Sequence, residues 1–384
     1  MTPDLVTRAA KLFTVGFFGR SLSSELGTLL ERGVGGVVFF ARNVGSPEEV
    51  ARLCANIKRT AGRPLTLAVD QEGGLVARLK QGFTPLPSMR ALGATGDEGL
   101  AFELGGLLGR ELRAVGFDLN FAPVLDVDTN PDNPIIGTRS LGRDPALVGR
   151  LGASLARGIQ ESGVAACAKH FPGHGDTTED SHLALPRLPH PIERLEAVEL
   201  PPFRDAIDAG IASIMTAHVI FSPLDSTFPA TMSRPVISGI LRDAMGFDGV
   251  VVTDDIEMKA IADHYGIEDT VVRGLNAGVD QFLCCHTAEL AHRAIDAVAH
   301  AVESGVVPES RLDEANRRNA ELASRFAAPP VDAFDPTALR SAEHLDIVER
   351  ILSRAGADAA KTAIDPTEVM EQIRLLRRGG QGTS

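Results

Sequence analysis

The chain has no tryptophan and a single tyrosine, Tyr265, among its 384 residues. Proteins that grip long polysaccharides lay sugars on flat aromatic faces, so any carbohydrate-directed reading must favour a short ligand in a polar pocket. Cysteine is nearly as scarce: Cys54, Cys167, Cys284 and Cys285 form no C-x-x-C pair and are too few for a disulfide framework. A reduced, structural role is expected for them. Basic charge is also short, with 38 Lys and Arg against 51 Asp and Glu and a net charge of −13, the wrong field for a protein that must neutralise phosphates. Nucleic acid is therefore not an expected partner. No apolar run approaches the roughly 20 residues of a membrane span, and the N-terminus lacks the basic and apolar regions of a signal peptide. The expected setting is the cytoplasm, away from membranes, as a monomer or homodimer.

What is present is a folded globular composition, 44% hydrophobic and 23% charged. Eight short apolar runs recur, at 12–18, 36–40, 65–69, 118–122, 164–168, 213–217, 249–253 and 280–283. Helical stretches separate them. Ser46-Pro47-Glu48-Glu49 supplies an N-cap, a first-turn proline and a capping box, after which Val50, Leu53, Cys54 and Ile57 form one apolar stripe. Similar stripes run through Leu100, Leu104, Leu107, Leu108, Leu112 and Val115, through Val148, Leu151, Leu155 and Ile159, and through Leu290, Ile295, Val298 and Val302, stopping at Gly305.

Strands apolar on both faces and joined by helices predict a parallel sheet covered by helices, with an open doubly wound sheet as the alternative to closure. The number eight, and the position of the polar residues, favour an α/β fold of the (β/α)8 TIM-type barrel class. Arg42-Asn43, Asp70-Gln71-Glu72, Asp126, Lys169-His170, His218, Asp254-Asp255 and His286 each follow a strand run, and in a barrel they converge on one mouth. This gives a single catalytic domain over 1–327. Beyond Ala327-Ala328-Pro329-Pro330, residues 328–384 read as a short, partly helical C-terminal extension with a frayed end.

The richest segment is 169–182, KHFPGHGDTTEDSH, which Pro172 and Gly173 keep from being helical and which is expected as a loop at the mouth. His170, His174, Asp180 and His182 are possible zinc ligands, but the H-x3-H pair lacks the helix that makes such spacing a metal site, so no metal is predicted. In Asp180-Ser181-His182 the end residues share one side of an extended chain, and a carboxylate beside an imidazole suits a proton donor near neutral pH.

Strand alternation sends Asp254 and Asp255 to opposite faces, so one is expected in the mouth and the other as the cap of the next helix. An inward aspartate with a proton-donating partner can cleave a glycosidic bond. Lys169 at a strand end leaves open a rival, a Schiff-base lyase. Asp70 and Arg139 can bind hydroxyl groups or form an interior rim salt bridge. No phosphate-binding glycine loop follows a strand, and no cofactor is predicted.

Together these segments resemble glycoside hydrolase family 3, and within it the single-domain NagZ-type β-N-acetylglucosaminidases. The resemblance spans roughly residues 10–325. It rests on Asp70-Gln71-Glu72-Gly73-Gly74, Gly137-Thr138-Arg139-Ser140, the loop ending in Asp180-Ser181-His182, Pro229-Ala230-Thr231-Met232-Ser233 and the segment 246–258. It implies that Asp254 is the nucleophile, His182 the general acid/base and Asp180 its orienting partner, with Asp70, Arg139, Lys169 and His170 holding the sugar. The implied activity is exo-acting, retaining release of terminal GlcNAc from short β-linked glycosides, including muropeptides in peptidoglycan recycling. A GlcNAc phosphorylase and a non-catalytic sugar-binding barrel are the alternatives. Two positions depart from the family pattern, Leu75 where arginine is common and Leu141 where phenylalanine is common.

Overall fold

The structure, a computed structural model, describes residues 2–179, 181 and 184–356. Eight parallel strands close into a barrel: β1 (Phe13–Val15), β2 (Gly36–Phe39), β3 (Thr66–Val69), β4 (Leu119–Asn120), β5 (Ala165–Phe171), β6 (Ser213–Thr216), β7 (Val250–Asp255) and β8 (Gln281–Cys284). Each strand pairs with its neighbours in sequence, and β8 pairs with β1 through Phe13 opposite Phe282. All eight expected runs are barrel strands, and closure rather than an open sheet is the outcome.

The helices form for the reasons their sequences suggest. In α1 (Pro47–Ala61) the Ser46 hydroxyl accepts from the Glu49 amide at 3.3 Å while the Glu49 carboxylate accepts from the Ser46 amide at 2.8 Å. Two of the unpaired donors of the first turn are thereby satisfied. Val50, Leu53, Cys54 and Ile57 are all buried, and Gly62 ends the helix in the left-handed region at φ 61°. The same outward packing of helix on strand holds α2 (Glu98–Ala114), α3 (Pro145–Glu161) and α4 (Ala288–Glu303).

A separate apolar cluster fills the barrel itself. Val38, Phe40, Ala68, Leu119, Phe121, Cys167, Met215, Val252 and Leu283 belong to it, and Leu322 and Phe326 of α5 (Glu309–Phe326) join it. Near that end the buried Asp118 carboxylate accepts from Lys58 Nζ at 2.8 Å, the Leu67 amide at 2.9 Å and the Ala328 amide at 2.9 Å.

The chain then turns back as α6 (Ala342–Ala355), which buries Ile347, Val348 and Ile351 and packs on α2. The half of Glu111 nearest this helix accepts from the Arg340 amide at 2.8 Å and pairs with His344 Nδ1 at 3.0 Å. No described helix is long and apolar enough to cross a membrane.

Candidate active site

The two-residue period that fills the barrel also sets its mouth. Ala68 is followed two residues on by Asp70, Cys167 by Lys169 and Val252 by Asp254, and these three polar groups line one pocket. Glu72, Arg78, Arg139, His170, Asp255 and His286 complete its polar lining. Strand ends that are far apart in sequence thus meet at a single cavity, although Arg42, Asn43, Gln71, Asp126 and His218, expected at the mouth as well, are not part of its lining.

One side of the pocket is a buried charge network. Lys169 Nζ lies 2.7 Å from Asp70 and 2.6 Å from Glu72, and Arg139 forks onto both oxygens of Glu72 at 2.8 and 2.9 Å. Arg78 is 3.7 Å from the other Asp70 oxygen. Burial pushes the Glu72 carboxyl upward, but Arg139 and Lys169 overcome this and hold it far below the usual range. Burial likewise works against the Lys169 ammonium, and Asp70 and Glu72 more than restore it, so its pKa rises. An ammonium held in this way is not the free amine that a Schiff base needs, which removes the support for the lyase reading. Arg139 is accordingly both a rim salt bridge and a group that faces the pocket.

His170 is fixed by Asp126, whose carboxylate accepts from its Nδ1 at 2.7 Å and from its backbone amide at 3.2 Å. Because a carboxylate only accepts, Nδ1 carries the hydrogen, which orients the ring. Asp126 also accepts from the His174 amide at 2.7 Å. Burial raises the Asp126 carboxyl, and His170 more than offsets this, so it is lowered overall. His174 sits between Thr177 and Ser181, with 2.9 Å contacts from Nδ1 and Nε2 to their hydroxyls, and burial followed by repulsion from His170 pulls its pKa down to about 4. It serves as a neutral brace.

This depression gives a testable acid limb. Unfolded His174 takes up a proton near pH 6.5, whereas the native ring resists protonation until about pH 4. Stability therefore falls as pH drops through that window, by roughly 3 kcal/mol in all, and levels off below it. Denaturant midpoints measured from pH 7 to 4 are expected to show this slope in the wild type and a flatter one in His174→Asn.

Asp254 lies on the opposite side of the barrel from Asp70, since β7 and β3 are diametrically placed in the ring of eight. Its Oδ1 accepts the Asp255 amide at 2.8 Å. Asp255 does not cap the following helix, contrary to expectation. It lines the same pocket, because the β7–β8 register shifts between Val252 and Asp255 and breaks the strict alternation. A second correction concerns 169–182: residues Lys169 to Phe171 continue β5 and are not loop. Asp180 and His182 lie outside the described residues. Ser181 between them is buried, lines the pocket and is tied to His174.

The family model for the glycosyl hydrolase family 3 N terminal domain matches residues 8–322. The chain belongs to this family. It is a glycoside hydrolase. Among its family 3 relatives, the beta-hexosaminidase of Thiobacillus denitrificans is 39% identical over 343 residues, covering 87% of this chain and 91% of that protein. The structure of a family 3 beta-N-acetylglucosaminidase from Paenibacillus sp. str. FPU-7 superposes with a TM-score of 0.89 at 45% identity, over 92% of this chain and 69% of that one. NagZ from Neisseria gonorrhoeae, solved with N-trifluoroacetyl-D-glucosamine, gives a TM-score of 0.74 at 32% identity, over 90% of this chain and 98% of that one.

Within this family 3 barrel, sequence reasoning missed Arg78 as a pocket residue. Its place directly after a two-residue strand, Val76–Ala77, carries no periodic signal, although an arginine within the apolar run Val76 to Leu79 was a usable hint. Of the two departures, Leu141 is fully buried and packs in the core, and Leu75 is half-buried and outside the pocket lining.

Proposed function

We propose that this family 3 hydrolase is an exo-acting, retaining β-N-acetylglucosaminidase that releases terminal GlcNAc from short β-linked glycosides, muropeptides of cytoplasmic peptidoglycan recycling among them. The observation that carries this reading is the pocket itself. Asp70, Lys169, Arg139 and His170 are fixed donors and acceptors along the rim from β3 to β5, and Asp254 on β7 stands across from Asp70 and a quarter of the ring from Lys169 and His170. A pyranose spanning that gap has its hydroxyl groups on the charged network and its anomeric carbon toward Asp254. The names of the relatives support the acetylated sugar.

In this mechanism an Asp254 oxygen bonds to the anomeric carbon as the glycosidic C–O bond breaks, and His182 gives its proton to the leaving oxygen. Asp180 orients and charges that imidazole. Water then attacks the same carbon, His182 takes the proton, and the bond to Asp254 breaks to free the β-anomer. The peptide N–H of Asp255, already on Asp254 Oδ1, keeps the carboxylate facing the pocket. Lys169 and Arg139 remain charged and serve in binding.

The test is hydrolysis of an aryl β-N-acetylglucosaminide beside the aryl β-glucoside, with and without phosphate, and with the first-formed anomer read by NMR. Turnover of the acetylated substrate to β-GlcNAc is expected. Release of the α-anomer would overturn retention, a sugar phosphate formed in phosphate would favour the phosphorylase, and no turnover at all would favour a binding barrel.

A further inference from the structure

The carboxylate that follows Asp254 has a different task from the cap expected of it. Val252 pairs with Gln281 and Asp255 with Leu283, so β7 carries one extra residue between these pairs and Asp254 lies within the resulting bulge. A bulge re-aims a side chain at the cost of ladder hydrogen bonds. Here side chains replace them. Thr253 Oγ1 accepts the Leu283 amide at 3.0 Å, Asp255 Oδ1 the Cys285 amide at 3.2 Å, and Glu257 Oε1 the His286 and Thr287 amides at 2.6 and 3.0 Å.

Asp255 is the centre of this clamp. Its carbonyl meets His218 Nε2 at 3.0 Å, and His218 Nδ1 is braced by Thr231 at 2.8 Å. Its second carboxylate oxygen lies 3.0 Å from His286 Nε2, and both side chains are about nine-tenths buried. The His286 ring in turn leans on Phe40 with centroids 5.6 Å apart. The Asp255 amide, held between these anchors, is the group that reaches Asp254 Oδ1.

We propose that Asp255 and His286 are positioning residues for Asp254: the imidazole pins the Asp255 carboxylate, and the pinned residue aims its neighbour at the anomeric carbon. This inference rests on the reading of Asp254 as the nucleophile. Without a donor at position 286 the largely buried Asp255 carboxylate loses its 3.0 Å contact to Nε2, and the residue has reason to turn. On the proposed reading the sugar hydroxyls are held by the network of Asp70, Arg139, Lys169 and His170 and not by His286, so the loss belongs in kcat and not in KM.

The experiment compares wild type, His286→Leu and His286→Gln by steady-state kinetics and by the rate at which an activated 5-fluoro-GlcNAc fluoride labels the protein, the labelled residue being read by mass spectrometry. His286→Leu is expected to lose about tenfold or more in kcat and in labelling rate, with KM within about twofold, since small misplacements of a reacting group carry losses of that order. His286→Gln, which keeps a donor near the Nε2 position, is expected to recover to within about threefold of wild type. Labelling of Asp254 at an unchanged rate in His286→Leu would overturn the positioning role alone, as would equal losses in the Leu and Gln variants with unchanged thermal midpoints. Labelling of wild type at another residue would overturn the nucleophile reading as well.

Discussion

Asp254→Asn is expected to cut turnover of an aryl β-N-acetylglucosaminide by about four orders of magnitude, the scale on which removal of a nucleophile is felt when binding groups are left in place. An amide matches the carboxylate in shape, and its oxygen can still accept the Asp255 N–H that holds Oδ1 at 2.8 Å. What it lacks is the negative charge, and with it the nucleophilicity, that the proposed glycosyl ester requires. Because the groups proposed to hold the hydroxyls, Asp70, Arg139, Lys169 and His170, are untouched by the change, KM is expected to change little and the melting temperature to stay near wild type. Added azide, a small anion able to enter the space, should restore part of the rate. Residual activity above roughly one percent without azide would move the nucleophile assignment elsewhere, Asp255 being the first candidate.

Arg139→Met is expected to carry the largest stability effect. The guanidinium is buried and forks onto Glu72, and its removal leaves that carboxylate, 1% exposed, with Lys169 as its remaining cation. Losing one partner of a buried ion pair typically costs about 3–5 kcal/mol, because the other charge stays in a medium that does not solvate it. Urea denaturation at pH 7 measures the loss, and one below about 1 kcal/mol would mean that water or Lys169 replaces the arginine. Since the Glu72 carboxyl is depressed in the native protein, its stabilisation is complete above the ordinary carboxylate range and disappears only as pH falls toward the much lower native value. The difference between wild type and Arg139→Met should therefore persist at pH 5 and shrink only in strong acid.

Much of the barrel was legible because its strands are buried on both faces and read as uninterrupted apolar runs, as at Val37 to Phe39 and Val250 to Val252. The α1 start was legible for a local reason, since a capping box is written within four residues. Asp70, Lys169 and one member of the Asp254–Asp255 pair were legible from their place directly after strand runs, whereas the choice of Asp254 over Asp255 rested on the family resemblance alone. That both members line the pocket was not legible, because a bulge depends on how β7 meets β8 and leaves no mark within the segment itself. The fork of Arg139 onto Glu72 joins residues 67 apart, and the hold of Asp126 on His170 joins residues 44 apart. Such contacts arise from closure of the ring, so spacing in the chain does not announce them. The continuation of β5 to Phe171 was hidden by Pro172 and Gly173, which mark the end of a strand as readily as the body of a loop.

The cations of the pocket, Arg78, Lys169 and Arg139, come from β5 and from the segments that follow β3 and β4, whereas Val38 and Phe40, on and just after β2, and Leu283 and Cys285, on and just after β8, present hydrocarbon and sulfur. The cavity thus has a polarity, like a socket keyed on one side. On the proposed reading, a sugar entering with its ring turned end for end would leave the network of Asp70, Glu72, Lys169 and Arg139 facing carbon. Each hydrogen bond left unmade in that pose costs roughly 1–3 kcal/mol. Two or three such losses would separate the orientations by a factor of about thirty or more, so the division of the barrel rim favours one direction of entry before any bond is broken.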